Sequence, residues 1–188
     1  NEGETRTRFA YFGQINPFKG VDIILEAFSK LPRSKRKLVS LDIFGSALDI
    51  QTQDFQDKIN FLLDDLKDIV HLHGPYEPHE MGVLMKDIDW IVMGSVWWEN
   101  SPLVIQEAFK FGRPIITPDI GGMVEKVRDG YGGLNYRARD TVSLSSTLLR
   151  VLSDSNLYTE IRDTIPAYPK INDIVSQHLK QYTSIDEG

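Results

Sequence analysis

At 188 residues with 41% hydrophobic side chains, the chain is sized for one domain with a substantial core. A net charge of −6 and a pI near 5.2, with no basic run, argue against a nucleic-acid or anionic-membrane surface, so an anionic ligand has to be held by local positive potential. The lack of cysteine excludes disulfides and thiolate metal sites and fits a reducing cytoplasm, and no apolar run approaches the ~20 residues of a membrane span. No signal-peptide pattern is visible, and Asn1 in place of Met suggests an excised piece of a longer polypeptide.

Residues 1–8 are polar and read as a frayed start. The first strand is Phe9-Ala10-Tyr11-Phe12, ending at Gly13. Gln14 to Lys19 form a turn-rich loop. From Gly20, the spacing of Val21, Ile24, Leu25, Phe28 and Leu31 predicts an amphipathic helix. The second strand spans Leu38 to Gly45, and Phe55, Ile59, Leu62, Leu63 and Leu66 mark the next helix. Ile69 to His73 is the third strand, running into Gly74-Pro75-Tyr76. A short helix around Glu80 to Met85 leads to the fourth strand at Ile88 to Met93.

After that strand comes a loop through Trp97-Trp98-Glu99-Asn100, then a helix that Ser101 would cap and Pro102 would open. Gly112 and Pro114 supply its stop. The fifth strand, Pro114 to Thr117, ends in Pro118-Asp119-Ile120-Gly121-Gly122. A helix from about Met123 to Arg128, a turn at Asp129-Gly130, a strand near Gly133 to Tyr136 and a helix over Thr141 to Leu152 complete the compact part. Beyond Asp154 the composition loosens, and Ile171 to Tyr182 suggest a closing amphipathic helix. The reading is thus one domain over 9–165, then a linker and closing helix over 166–188.

Alternation of strands and helices predicts an α/β fold: a Rossmann-like parallel sheet of about six strands with helices on both faces. In such a sheet the ligand sits outside the carboxyl ends of the strands. The loops predicted for that edge are Gly13 to Lys19, Gly45-Ser46, Gly74 to Tyr76, Ser95 to Ser101 and Thr117 to Gly122.

Glu107 lies about one and a half turns into the helix that follows Ser101. Helical side chains lean toward the N-terminus, so its carboxylate can point to the same crevice as Glu99. The free amides of the helix start suit a phosphate, and carboxylates suit sugar hydroxyls. The plainer reading leaves Glu99 solvated and pairs Glu107 with Lys110 or Arg113. Lys19 is the candidate phosphate cation, against the default of a solvated surface lysine. Gly121-Gly122 reads as a close-approach loop or as a simple turn. Tyr76 either borders a nucleotide base or packs on its own domain. The histidines His71, His73, His79 and His178 read as strand-end or packing residues, not a zinc site. Of Trp97 and Trp98, one is expected in the core and the other at a cleft or sugar-pocket wall. No P-loop, nucleophile elbow or cysteine nucleophile appears.

The segment Glu99-Asn100-Ser101-Pro102-Leu103-Val104-Ile105-Gln106-Glu107, followed by Ala108-Phe109, resembles the Glu-x7-Glu signature of retaining group 1 (glycogen-synthase-like) glycosyltransferases. The resemblance extends to Lys19-Gly20 after Gly13 and to Gly121-Gly122 with Glu125, and covers about Phe9 to Leu152. It implies the C-terminal, donor-binding half of a GT-B enzyme. Glu99 would contact the transferred sugar, Glu107 the ribose, and Lys19 the diphosphate. Gly13, Gln14, Gly20, Asn100, Ser101, Pro102, Leu103, Val104, Gly121 and Gly122 would complete the donor site, with Tyr76 beside it. The family's Arg is replaced by Gln14, which cannot neutralise charge or make a bidentate fork.

The activity so implied is hexosyl transfer from a nucleoside-diphosphate sugar to an acceptor hydroxyl with retention, in glycan or polysaccharide synthesis. Neither a cofactor nor a metal is expected, since protein groups take the cation role in the family. The partners expected are the nucleoside-diphosphate sugar and a glycan or lipid-linked acceptor reached through an N-terminal domain outside these residues. The location implied is cytoplasmic, with that missing part as the route to the inner membrane. A fragment without that domain should bind nucleotide weakly and turn over nothing. Two alternatives stay open: a silent nucleotide-sugar-binding module and a sugar-nucleotide epimerase of the same architecture.

Overall fold

The computed structural model describes residues 6–99 and 102–167. In chain order these form β1 (Arg8–Phe12), α1 (Val21–Ser29), α2 (Arg33–Arg36), β2 (Ser40–Phe44), α3 (Gln53–Asp65) and β3 (Val70–Gly74). Next come α4 (Met81–Leu84) between two 3-10 turns, β4 (Trp90–Val92), α5 (Leu103–Lys110), β5 (Ile115–Pro118) and α6 (Gly121–Lys126). The edge strand β6 (Arg128–Asp129), β7 (Gly132–Tyr136), α7 (Thr141–Ser153) and α8 (Leu157–Asp163) follow.

The strands make one seven-stranded sheet in the order β3-β2-β1-β4-β5-β7-β6. The pairs from β3 across to β7 are parallel. Each needs a crossover, and helices cover both faces. Alternate residues of β1 show why. Phe9 and Tyr11 join a cluster with Leu41, Ile43, Trp90 and the helix residues Ile24, Phe28, Ile59 and Leu148. Ala10 and Phe12 join the opposite cluster with Ile91, Met81, Ile105 and Met123. Both sets are buried, so the strand is apolar on both sides because side chains alternate with a period of two.

The chain winds outward from β1 to β2 and β3, then returns to place β4 on the other side of β1. The loops after β1 and β4 therefore leave the sheet in opposite directions, and a crevice opens between them, which is the topological switch point of a doubly wound sheet. Their backbones meet there without side chains between them. A Cβ built on Gly20, at φ 63°, would lie 2.0 Å from the carbonyl oxygen of Gly94, and one on Gly94 would lie 2.2 Å from that of Gly20. The Val96 amide donates to the Phe18 carbonyl at 3.0 Å. The buried Tyr136 hydroxyl donates to the Met93 carbonyl at 2.9 Å and fixes the end of β4.

The sequence reading differs from this fold in a few elements. Arg8, assigned to a frayed start, opens β1, and its amide donates to Asp89 Oδ2 at 3.0 Å. Arg128 belongs to β6 and not to the preceding helix, which starts earlier, at Gly121. The stretch after Asp154 holds α8, whose Leu157, Tyr158 and Ile161 are buried; a helix of seven residues is too short to declare itself by periodicity. Pro102 is the N-cap residue of α5, with φ −60° and ψ 121°, and not its first helical residue. The expected closing helix at Ile171 to Tyr182 lies outside the described residues.

Candidate functional site

The crossover crevice has a volume of about 450 Å³, within the range of ligand-sized pockets. Three loops and one helix start build it. Its walls include Tyr11 and Phe12 from β1, Lys19 from the loop before α1, Tyr76 and Pro78 after β3, Met93 to Ser95 and Glu99 after β4, and Pro102, Leu103, Val104 and Glu107 from α5.

At its floor Lys19 Nζ donates to Glu99 Oε1 at 2.8 Å. The lysine side chain is 39% exposed and the glutamate 19%. The hydroxyl of buried Ser95 also donates to Glu99 Oε1. Asn16 sets the lysine's backbone: its Oδ1 accepts from the Phe18 amide at 3.0 Å and the Lys19 amide at 2.9 Å. The Tyr11 hydroxyl donates to the Gln14 carbonyl at 2.6 Å, tying the loop to the strand beneath it. Burial, and next the charge of Glu99, raise the Tyr11 pKa well above that of an ordinary phenol, so Tyr11 stays a neutral donor.

Glu107 stands on the same crevice wall, and burial raises its pKa, opposed by the nearby charge of Lys110. Among the described residues no ion pair to Glu107 forms, and the Arg113 guanidinium donates elsewhere, to the Tyr158 hydroxyl at 3.3 Å and the Lys86 carbonyl at 3.1 Å. Tyr76 is likewise raised by burial and then by Glu107. The first amides of α5 belong to Leu103 and Val104, which lack intrahelical acceptors because they open the helix. They add positive potential to a crevice that also holds two carboxylates.

The structure thus gathers Lys19, Glu99, Pro102, Leu103, Val104, Glu107 and Tyr76 around one hollow. Gly20 is behind the wall, where it allows the close approach to Gly94. Gly121 and Gly122 support Glu99 from below: the Gly122 amide donates to the Glu99 carbonyl at 2.8 Å, and a Cβ on Gly121 would lie 3.2 Å from Trp98 Cα. Gly13 and Gln14 stand outside the lining. The Gln14 side chain is exposed, and its Oε1 accepts from Asn16 Nδ2 at 3.2 Å. Asn100 and Ser101 lie outside the described residues.

Trp97 and Trp98 are both exposed, at 63% and 73%, so neither is in the core; the buried indole is Trp90, on β4. His73 faces buried Asp42, with Nε2 2.6 Å from Oδ1, and its ring stacks on Phe44 at 4.5 Å between centroids. Sequence reasoning placed Ser95 in a loop of this edge but did not pick out Tyr11, Phe12, Pro78, Met93 or Gly94 as lining residues. Their positions at the carboxyl ends of strands were the available signal.

A doubly wound parallel sheet with a crevice at its switch point defines a Rossmann-like fold. The family described as glycosyl transferases group 1 matches residues 1–166, and the chain belongs to that family. It is 29% identical over 147 residues to a D-inositol 3-phosphate glycosyltransferase of Frankia alni, covering 76% of this chain and 36% of that protein. It is 27% identical over 158 residues to a lipopolysaccharide 1,2-N-acetylglucosaminetransferase of Salmonella typhimurium, covering 82% and 41%. The chain therefore spans about a third to two fifths of these relatives.

Among solved structures, Anabaena HepE in complex with UDP and glucose superposes with a TM-score of 0.78 at 20% identity, over 98% of this chain and 49% of that one. The C-terminal domain of the group 1 glycosyl transferase LpcC from Francisella tularensis superposes at 0.73 and 20% identity, over 84% and 81%. The chain thus has the Rossmann-like fold found in about half of a GT-B glycosyltransferase. No helix among the described residues is long and apolar enough to cross a membrane.

Proposed function

We propose that the chain is the donor-binding half of a retaining glycosyltransferase, moving a hexosyl group from a nucleoside-diphosphate sugar to an acceptor hydroxyl. The observation that carries the reading is the Lys19–Glu99 pair at the switch point, with Glu107 and the start of α5 on the same crevice. A nucleoside-diphosphate sugar needs a cation and amides for its diphosphate and acceptors for its hydroxyls. The crevice offers both kinds of group. The Lys19 side chain is still partly exposed, so it can turn from Glu99 to a phosphate that offers it another charge-assisted contact.

In the reaction the bond from the anomeric carbon to the diphosphate oxygen breaks, and a bond to the acceptor oxygen forms on the same face. The acceptor's proton leaves with the diphosphate. Negative charge grows on the departing diphosphate, and Lys19 with the Leu103 and Val104 amides would stabilise it most when that charge is greatest. Glu99 would accept hydrogen bonds from the transferred sugar, and Glu107 from the ribose, beside a base near Tyr76. Asn100 and Ser101 would also contact the donor. A glycan or lipid-linked acceptor would come through an N-terminal half, in the cytoplasm, so these residues alone should bind donor and transfer nothing.

One observation favours the silent-module reading: Gln14 is tied to Asn16 outside the crevice and carries no charge. Calorimetric titration of UDP, GDP and ADP, then of their glucose conjugates, tests the proposal. Binding of one nucleotide that weakens by roughly ten- to a hundredfold in Lys19→Ala supports it, since a charge-assisted contact is worth roughly 1.5–3 kcal/mol. Failure of all the nucleotides to bind, or binding indifferent to Lys19, would overturn it.

A further inference from the structure

A second cavity, of about 340 Å³, shares the ion pair with the crevice, and its lining includes Phe18, Trp97, Lys19 and Glu99. The Phe18 and Trp97 rings stand nearly perpendicular, at 86° with centroids 6.3 Å apart, and form a corner. Both are about three-fifths exposed, at 62% and 63%. Large aromatic rings left in water forgo a sizeable burial gain. Here they do so on a backbone that is pinned at several points. The Phe18 amide donates to Asn16 Oδ1, the Phe18 carbonyl accepts from the Val96 amide at 3.0 Å, and the Val96 carbonyl accepts from Arg139 Nη2 at 3.1 Å. Arg139 holds a left-handed backbone, φ 63°, in making that contact, a conformation costly for a residue with a Cβ.

We infer that this corner is a sugar platform on the acceptor side, on which a pyranose of the acceptor stacks its C–H face against Trp97 and Phe18. Its hydroxyls then face Glu99 and Lys19. The inference rests on reading the main crevice as the donor site. The ion pair is the wall common to both cavities, so a sugar in the corner presents a hydroxyl to the group that contacts the transferred sugar. The chemistry of the lining selects the occupant. An acyl chain would desolvate the ion pair and offer it no hydrogen bond in return. A folded protein would need some 20–30 residues on each side of a stable interface, far more than a corner of two rings and one ion pair offers. An amphipathic ring with one apolar face and a rim of hydroxyls uses every wall.

The test uses methyl α-glucoside, methyl α-mannoside and methyl N-acetyl-β-glucosaminide as probes, with hexanol as an apolar control. Affinity is followed by saturation transfer to the glycoside protons, and location by the indole N–H resonance of Trp97 in an ¹⁵N spectrum. At least one glycoside should shift that resonance and hexanol should not. Phe18→Ala should weaken glycoside binding by roughly tenfold, the loss expected for truncating an anchor residue, and Trp97→Tyr, which keeps a ring, by less than about threefold. UDP affinity should be the same in the wild type and both variants.

Silence of the Trp97 resonance toward every glycoside, an equal response to hexanol, or full glycoside affinity in Phe18→Ala would each overturn the platform. The UDP titration of the wild type is a separate arm. Its failure would sink the donor-site reading while leaving the glycoside response of the corner to be judged by itself.

Discussion

Lys19 and Glu99 stand 80 residues apart in the sequence and meet at 2.8 Å where the chain reverses its direction across the sheet. Each reaches the meeting point from a different βα loop, and the two loops touch through the Gly20 and Gly94 backbones. The acid therefore holds the base, and under the proposed donor-site reading a diphosphate would have to take Lys19 from Glu99.

Glu99→Gln should separate these two roles. The amide removes the charge that competes for Lys19, so UDP affinity should rise by a few-fold, in line with a pair worth up to about 1 kcal/mol. The extra affinity that UDP-glucose has over UDP should shrink, because a carboxylate acceptor for sugar hydroxyls is gone. Paired calorimetric titrations read both quantities, and a parallel loss of UDP and UDP-glucose affinity would contradict the division of labour.

Gly94→Ala should damage fold and crevice together. The new methyl would sit 2.2 Å from the Gly20 carbonyl oxygen, where backbone and not a flexible side chain has to yield. Overpacking of this kind costs about 1–3 kcal/mol. A lowered thermal midpoint with loss of UDP binding is the expected result in a melt followed by circular dichroism. An unchanged midpoint would mean that the loops separate without cost.

Glu107 carries a pH signature. Burial raises its pKa in the folded chain, so the protonated form is favoured there, and its contribution to stability is fully present below the unfolded glutamate value of 4.5 and lost as pH rises through the higher folded value. Glu107→Gln should therefore stabilise the chain at neutral pH by a fraction of a kcal/mol, since a partly exposed carboxylate is screened. The gain should vanish in acid. Nucleotide affinity should move oppositely: Glu107→Gln loses an acceptor for ribose, and the wild type weakens on acidification sooner than an ordinary carboxylate would dictate. Urea melts and UDP titrations across pH check the two signs.

Gln14→Arg tests the departure from the family pattern. The exposed glutamine is held by Asn16 Nδ2 at 3.2 Å and stands outside the crevice lining. An arginine reaching over the loop would add a charge-assisted contact to the diphosphate, and about tenfold tighter UDP binding is expected once exposure is allowed for. No gain in calorimetry would show that the loop carries residue 14 away from the donor and would favour the silent-module reading.

Much of this was legible in the chain before folding. Apolar runs broken by Gly and Pro at Gly13, Gly45, Gly74 and Pro118 marked strand ends, and the pattern Val21, Ile24, Leu25, Phe28 marked α1, because burial of one face imposes a period that local sequence displays. Glu99, Glu107 and Lys19, singled out by spacing and by resemblance to the family, lie on one crevice. Elements too short for a period, such as α8 and β6, were not.

What composition and periodicity determined was an alternating α/β chain with its loops on one sheet edge. Which loops become neighbours was decided only in three dimensions. The order β3-β2-β1-β4-β5 places the first and fourth strands side by side, and that adjacency depends on where each crossover helix buries its stripe, a property of the whole core. Tertiary structure alone set Lys19 against Glu99, left Gln14 outside, and stood Phe18 against Trp97 in water. These are contacts between segments whose separation along the chain carries no local signal, so no window of sequence could display them.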